Sequence, residues 1–115
     1  MRDNQTKENL NPAETEKLLK DQGNEPGIIV LDVRTPGEFS SGHIAGAKNI
    51  DFNSNNFEDE IYRLDKNRVY LVYCQSGIRS SRALLMMKDK GFKSLKNLDG
   101  GLSKWVANNF PVTTE

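Results

Sequence analysis

The sequence predicts an α/β domain built on a mainly parallel sheet, and two observations support this prediction. Short continuous apolar runs, typical of strands covered on both faces, occur at 28–31 and 69–73. Amphipathic segments with helical character separate these runs, so that strand and helix patterns alternate along the chain. Such alternation favours parallel strands that are connected by helices.

The N-terminal half is predicted to contain two strands and three helices. Asn11 is suited to cap the first helix, and Pro12 is well tolerated in a first helical turn. Gly42 is expected to end the second helix. In chain order, the predicted elements are a helix from Pro12, a turn at 23–27, a strand at 28–31, a helix at 35–39, a strand at 48–51 and a helix at 57–64.

The C-terminal half continues the alternation with two strands and two helices. Gly91 is a natural C-cap for the first of these helices. Trp105 is expected to pack on the inner face of the last one. In chain order, the predicted elements are a strand at 69–73, a helix at 80–90, a strand at 94–98, a turn at 100–101 and a helix at 102–109.

Length and composition are those of one ordinary globular domain. We predict a single domain over residues 1–115, with residues 1–8 as a flexible tail. The 16 basic and 16 acidic residues give a formal net charge of zero, and no basic block argues for nucleic acid or an anionic membrane as a partner. The expectation is a monomer in the cytoplasm, or in the periplasm if a signal sequence has been trimmed from the chain.

Cys74 is the only cysteine and His43 the only histidine. An intramolecular disulfide and a cysteine-rich zinc site are therefore excluded. We expect no metal ion and no organic cofactor. The chemistry is expected at the cysteine, because Cys74 directly follows a predicted strand, and sites of α/β domains lie beyond the carboxyl ends of strands.

The segment 74–81 (Cys-Gln-Ser-Gly-Ile-Arg-Ser-Ser) predicts a reactive thiol. Between a strand and a helix, backbone N–H groups can surround the sulfur, and the helix N-terminus adds a positive dipole end. Both effects lower the pKa of a thiol. Gly77 permits the required backbone conformation, and Arg79 adds a charge that could hold an anionic substrate. The alternative is a strand-to-helix turn that contains a cysteine with no chemical role.

This loop resembles the active-site loop of single-domain rhodaneses, and three further segments share the resemblance. Two of them, 31–39 and 42–50, are similar to the N-terminal signature of that family, and 98–105 is similar to its C-terminal signature. The resemblance extends from about Leu10 to Pro111. It implies a rhodanese-like fold, with a five-stranded, mainly parallel sheet flanked by helices on both faces.

The resemblance also implies a sulfurtransferase activity. Cys74 would accept a sulfane sulfur from thiosulfate or from a persulfide donor, and would pass it to a thiophilic acceptor such as cyanide, a small thiol or a protein thiol. The implied substrate-binding residues are the rest of the loop: Gln75, Ser76, Gly77, Ile78, Arg79 and Ser80. Many thiosulfate-using members carry a basic residue directly after the cysteine, so Gln75 weakens the case for thiosulfate.

Two other functions stay open at this point. Related phosphatases and arsenate reductases place an arginine six positions after the cysteine, whereas Arg79 follows Cys74 by five. The shorter loop suits a sulfur atom better than a tetrahedral phosphate. The second alternative is a module that uses the same fold only for binding, which the presence of both Cys74 and Arg79 argues against.

Several other residues have a functional and a structural interpretation. Asp32 could hydrogen-bond the loop amides or order Arg79, and Arg34 could line the pocket mouth, but a structural ion pair such as Arg34 with Glu38 is the alternative. The family resemblance implies a structural imidazole for His43, bonded to backbone. A cluster of lysines could dock an acidic partner or form a solvated face; it comprises Lys88, Lys90, Lys93 and Lys96.

Overall fold

The computed structural model describes residues 7–21 and 27–115. Five strands form one sheet in the order β1-β5-β4-β2-β3, and all of their pairings are parallel. The strands are β1 (Asn9–Leu10), β2 (Ile29–Asp32), β3 (Lys48–Asn49), β4 (Val69–Tyr73) and β5 (Ser94–Leu98). The helices are α1 (Pro12–Asp21), α2 (Pro36–Ser40), α3 (Phe57–Tyr62), α4 (Ile78–Asp89) and α5 (Gly101–Ala107).

Apolar side chains cover both faces of the sheet, as the continuous apolar runs predict. In β4, Tyr70 and Val72 pack against α3 and α4 on one face. Leu71 and Tyr73 lie on the other face of the sheet, in the apolar cluster that includes Trp105 of α5. The α/β prediction with a parallel sheet flanked by helices is therefore confirmed.

Register brings the ends of β2 and β4 together. Asp32, the last residue of β2, lies opposite Tyr73, the last residue of β4. Cys74 therefore emerges next to the segment that carries Asp32 and Arg34. This juxtaposition positions the candidate site at the carboxyl edge of the sheet.

Helix starts follow the capping chemistry of the sequence. Asn11 Oδ1 accepts the N–H of Glu14, and Glu14 Oε1 accepts the N–H of Asn11, at 2.8 and 2.9 Å. Thr35 and Glu38 form the same reciprocal capping box at the start of α2. Other boundaries differ by a few residues: α4 begins at Ile78 rather than at residue 80, because Gly77 with φ of 109° already ends the loop.

Strand β1 is absent from the predictions. It has two residues, too few for a recognisable pattern, and it exists through its pairing with Asn97 and Leu98 of β5. The tail was predicted to reach residue 8. Residues 1–6 lie outside the described residues, and the backbone oxygens of Lys7 and Glu8 accept hydrogen bonds from β5. The predicted turn at 23–27 also lies outside them, apart from Gly27.

Within the described part of the chain, no helix combines the length and the apolar character needed to span a membrane.

Candidate active site around Cys74

The Cys74 sulfur lies inside a ring of donors at the junction of β4 and α4. Its Sγ accepts the N–H of Gly77 at 3.0 Å and the N–H of Ser80 at 3.4 Å. The thiol can donate to Ser80 Oγ, which lies 3.5 Å away. The cysteine is only 1% exposed. These contacts form an anion-binding nest around the sulfur.

The surroundings of Cys74 favour the thiolate. Burial alone would raise the pKa of the thiol, but hydrogen bonds from the hydroxyl and N–H of Ser80 and from the N–H groups of Gly77 and Ser76 outweigh it, and the pKa is lowered. A thiolate is the nucleophilic form of cysteine. The loop therefore activates the sulfur through hydrogen bonds from its own backbone and from one hydroxyl.

Ser80 can serve both protonation states of the thiol. Its hydroxyl donates to the carbonyl oxygen of Gly77 at 3.2 Å, and the Ser81 hydroxyl donates to the same oxygen at 2.7 Å. The Gly77 carbonyl therefore keeps a partner if the Ser80 hydroxyl rotates toward the sulfur. Loss of the thiol proton requires such a rotation, because a thiolate can only accept.

The N-terminus of α5 supports the loop from the other side. The N–H of Leu102 donates to Cys74 O at 2.9 Å, and the N–H of Ser103 donates to Gln75 O at 3.0 Å. Gly101 has φ of 64°, and a Cβ there would lie 2.5 Å from Gln75 O. The sequence predicted only a turn here. The pair of glycines directly before a helix was the available signal for a close backbone approach.

Asp32 and Arg34 form a buried ion pair next to the loop. Arg34 Nη2 donates to Asp32 Oδ2 at 2.7 Å, and the two side chains are 3% and 0% exposed. Arg34 Nη2 also donates to Gly42 O at 2.7 Å, while Nε donates to Asp32 and Nη1 donates to Gln75 Oε1 at 3.0 Å. Burial alone would lower the pKa of Arg34, but the hydrogen bonds and charge of Asp32 outweigh it and raise the pKa.

Glu38 and Arg79 form a second, more exposed ion pair. Arg79 Nη1 and Nη2 donate to the two carboxylate oxygens of Glu38 at 2.8 and 3.1 Å. The hydrogen bond from Arg79 lowers the pKa of Glu38 to about 2. The same bond raises the pKa of Arg79.

These two pairs correct the predicted partners of the charged residues. The structural ion pair of Arg34 is present, but its partner is Asp32 and not Glu38. Asp32 orders Arg34 instead of Arg79. The reason is local geometry: Asp32 ends β2 and Arg34 follows it by two positions, whereas the Glu38 carboxylate, held by the capping box at the start of α2, accepts hydrogen bonds from Arg79 of α4.

Among the other predicted loop residues, some side chains are bonded within the site and others are exposed to solvent. Gln75 is held by Arg34 and donates through Nε2 to Ser103 Oγ at 2.9 Å. Ile78 is 64% exposed and Ser76 is also exposed. Of the predicted substrate-binding set, the sulfur therefore contacts Gly77 and Ser80 directly, with the Ser76 N–H contributing to its field.

The histidine, the tryptophan and the basic cluster have structural surroundings. The ring nitrogens of His43 lie 2.8 Å from the carbonyl oxygens of Phe39 and Glu115, so the imidazole is bonded to backbone, as the resemblance implies. Trp105 is buried and its N–H donates to Pro111 O. Among the lysines of the basic cluster, Lys88 pairs with Glu8, Lys90 pairs with Glu58 and Lys96 donates to Lys7 O.

Comparison with known proteins agrees with this architecture. The fold and the site define an α/β domain with a parallel sheet, whose central strand ends in a loop that stabilises a thiolate. The family model of the rhodanese-like domain matches residues 12–108 of the sequence. The chain belongs to the rhodanese-like family.

Relatives with a similar sequence include proteins of bacteria. The Bacillus subtilis protein YqhL is 43% identical over 76 residues, which is 66% of this chain and 59% of that protein. The thiosulfate sulfurtransferase GlpE of Ectopseudomonas mendocina is 31% identical over 105 residues, which is 91% of this chain and 89% of that protein.

Solved structures share the fold. A rhodanese-related protein from Thermoplasma volcanium has a TM-score of 0.80 at 28% identity, covering 94% of this chain and 99% of that one. A Rhodopseudomonas palustris protein described as a possible tyrosine phosphatase has a TM-score of 0.74, covering 92% and 84%. At 23% identity, the latter likeness concerns the fold alone.

Proposed function

We propose that this protein is a sulfurtransferase that moves a sulfane sulfur from thiosulfate or a persulfide donor to a thiophilic acceptor through a persulfide on Cys74. The observation that carries the proposal is the position of Sγ, within 3.0 and 3.4 Å of two backbone N–H groups at the start of α4. Kinship with a thiosulfate sulfurtransferase supports the reaction class.

The first step loads the cysteine. The Cys74 thiolate attacks the outer sulfur of the donor, a new Sγ–S bond forms and the donor's S–S bond breaks. Thiosulfate leaves as sulfite, which takes the electron pair of the broken bond. An alkyl persulfide, R–S–S–H, leaves as the thiolate R–S⁻, and the proton stays on the transferred sulfur.

The second step unloads it. A cyanide ion, a small thiolate or a protein thiolate attacks the outer sulfur of the Cys74 persulfide, and the Sγ–S bond breaks with its electron pair on Sγ. The N–H groups of Gly77 and Ser80 stabilise the thiolate that is regenerated. Neither step needs a change in the oxidation state of a metal or an organic cofactor.

Mass spectrometry of the intact protein tests the proposal. Because Cys74 is the only thiol, incubation with thiosulfate or cysteine persulfide should add a single sulfur, about 32 Da. Cys74→Ser should abolish both the adduct and turnover. Prior alkylation of the wild-type thiol is the matched control and should also prevent the adduct.

Two outcomes would redirect the assignment. If the wild-type protein forms no adduct with any donor, the proposed sulfurtransferase activity is contradicted, and a binding module of this fold is favoured. Hydrolysis of an aryl phosphate would favour a phosphatase, although Arg79 follows Cys74 by only five positions.

A further inference from the structure

We propose that Glu38 is a specificity residue, which neutralises Arg79 and so selects an alkyl persulfide over thiosulfate as the sulfur donor. The inference rests on the proposed function and names its donor class. It starts from the ion pair of Arg79, the charge that the sequence assigned to anion binding.

Arg79 is already occupied by a carboxylate. Both of its terminal nitrogens donate to Glu38, one to each oxygen, at 2.8 and 3.1 Å. Arg34, the other arginine near the loop, is likewise paired with Asp32 and uses its remaining donors on Gln75 and Gly42. Each arginine of the site therefore carries a compensating negative charge.

Glu38 is held in place independently of Arg79. Its Oε1 accepts the N–H of Thr35 at 3.0 Å, and its own N–H donates to Thr35 Oγ1 at 3.2 Å. A substrate anion that bound Arg79 would have to displace a carboxylate that the start of α2 also fixes. The Glu38 and Arg79 side chains are 35% and 24% exposed, so the pair lies within reach of a ligand from solvent.

The charge balance separates the two donors. Thiosulfate brings two negative charges toward a thiolate, and its approach is favourable only if a cation compensates them. With both arginines neutralised, the backbone N–H groups remain to offset that repulsion. The form of an alkyl persulfide that a thiolate attacks is the protonated one, R–S–S–H, whose reacting end is neutral, and the leaving thiolate takes up a proton from solvent. The loop therefore suits the persulfide.

The test is Glu38→Gln, which removes the charge and retains an oxygen for the capping box, since glutamine also serves at this position. We expect the KM for thiosulfate to fall about fivefold, because one partly exposed charge contact becomes available to the dianion. The KM for cysteine persulfide should change by less than about twofold, since its reacting end is uncharged. A persulfidated peptide is assayed in parallel with cysteine persulfide. The substrate with the lower KM shows whether a protein cysteine or a small thiol is the preferred carrier of the persulfide.

Glu14→Gln is the matched control. Glu14 occupies the equivalent position of the capping box in α1 and pairs with Lys7 at 2.7 Å, on the edge of the sheet that carries β1. It should leave both KM values unchanged. The double variant Glu38→Gln/Arg79→Ala should lose the gain for thiosulfate, which shows that the effect acts through Arg79.

Ionic strength provides a readout that needs no variant. The wild-type KM for thiosulfate should not rise between low and high salt, because a neutralised arginine offers the dianion little attraction for salt to screen. A strong rise with salt would overturn the inference, as would Glu38→Gln with an unchanged or raised thiosulfate KM. The proposed function fails separately, if wild-type Cys74 takes up sulfur from neither donor.

Discussion

The two arginine–carboxylate pairs beside the cysteine loop have similar distances and very different surroundings. In the Asp32–Arg34 pair, the closest contact is 2.7 Å and both side chains are buried. In the Glu38–Arg79 pair it is 2.8 Å, and both side chains are partly exposed to solvent. The first pair connects residues two positions apart, and the second joins α2 to α4.

Burial decides what each pair can do. Removing water from charges costs free energy, and the Asp32–Arg34 pair offsets this cost because each guanidinium nitrogen of Arg34 donates to a partner. Such a pair fixes structure, here by holding Gln75 and Gly42 around the loop. A partly exposed pair contributes little to stability, which leaves Glu38 and Arg79 available to influence the charge that a substrate meets.

The largest expected effect comes from breaking the buried pair. Arg34→Met leaves the Asp32 carboxylate buried without its partner and should lower the free energy of unfolding by about 3–5 kcal/mol. Urea denaturation followed by circular dichroism measures it. The double variant Asp32→Asn/Arg34→Met removes the buried charge and should recover part of the loss; no recovery would show that the ion pair is not the cause.

A smaller loss of unfolding free energy is expected at Gly101, where α5 contacts the cysteine loop. Gly101→Ala places a Cβ against Gln75 O in a backbone conformation with φ of 64°, and should cost about 2–3 kcal/mol and slow sulfur loading. Gly37→Ala is the control, because Gly37 lies inside α2 with open space around it. Equal stability of the two variants would contradict the close approach of α5 to the loop.

The next effect concerns the thiol itself. Ser80→Ala removes a hydrogen bond to the Cys74 thiolate, worth about 1.5 kcal/mol for a charged partner, so the thiol pKa should rise and loading at neutral pH should slow several-fold. Because the thiolate reacts, the rate of alkylation rises with pH, and its midpoint should move to higher pH in the variant. Ser81→Ala, which removes the other hydroxyl on Gly77 O, should leave the midpoint in place, because the N–H of Ser81 still donates to that oxygen.

Local and long-range features differed in how well the sequence predicted them. The apolar runs of β2 and β4 and the cap at Asn11 depend on neighbouring residues, and these were predicted correctly. Cys74 and its nest follow from one strand–loop–helix segment. The partner of Arg79 lies 41 positions away, and no local pattern specifies such a pairing.

The same limit applies to the contact between α5 and the cysteine loop, and to strand β1. The N-terminus of α5 reaches the loop because β5 lies next to β4 in the sheet. Strand order depends on the packing of the whole domain, and the two glycines alone do not reveal it. Strand β1 similarly has no pattern of its own and depends on β5 for its pairing.

The smallest expected effect is the contribution of the exposed pair to stability. Because Arg79 lowers the pKa of Glu38 from 4.5 to about 2, the folded state favours the charged carboxylate. The stabilisation is therefore present above the unfolded value, near pH 4.5, and is lost as the pH falls through about 2. Solvent screening keeps it below about 1 kcal/mol. The difference in unfolding free energy between wild type and Glu38→Gln should be constant from neutral pH to about 5 and should shrink below it. A difference that grows toward acid pH, or one as large as the loss in Arg34→Met, would show that the two pairs do not differ as their burial indicates.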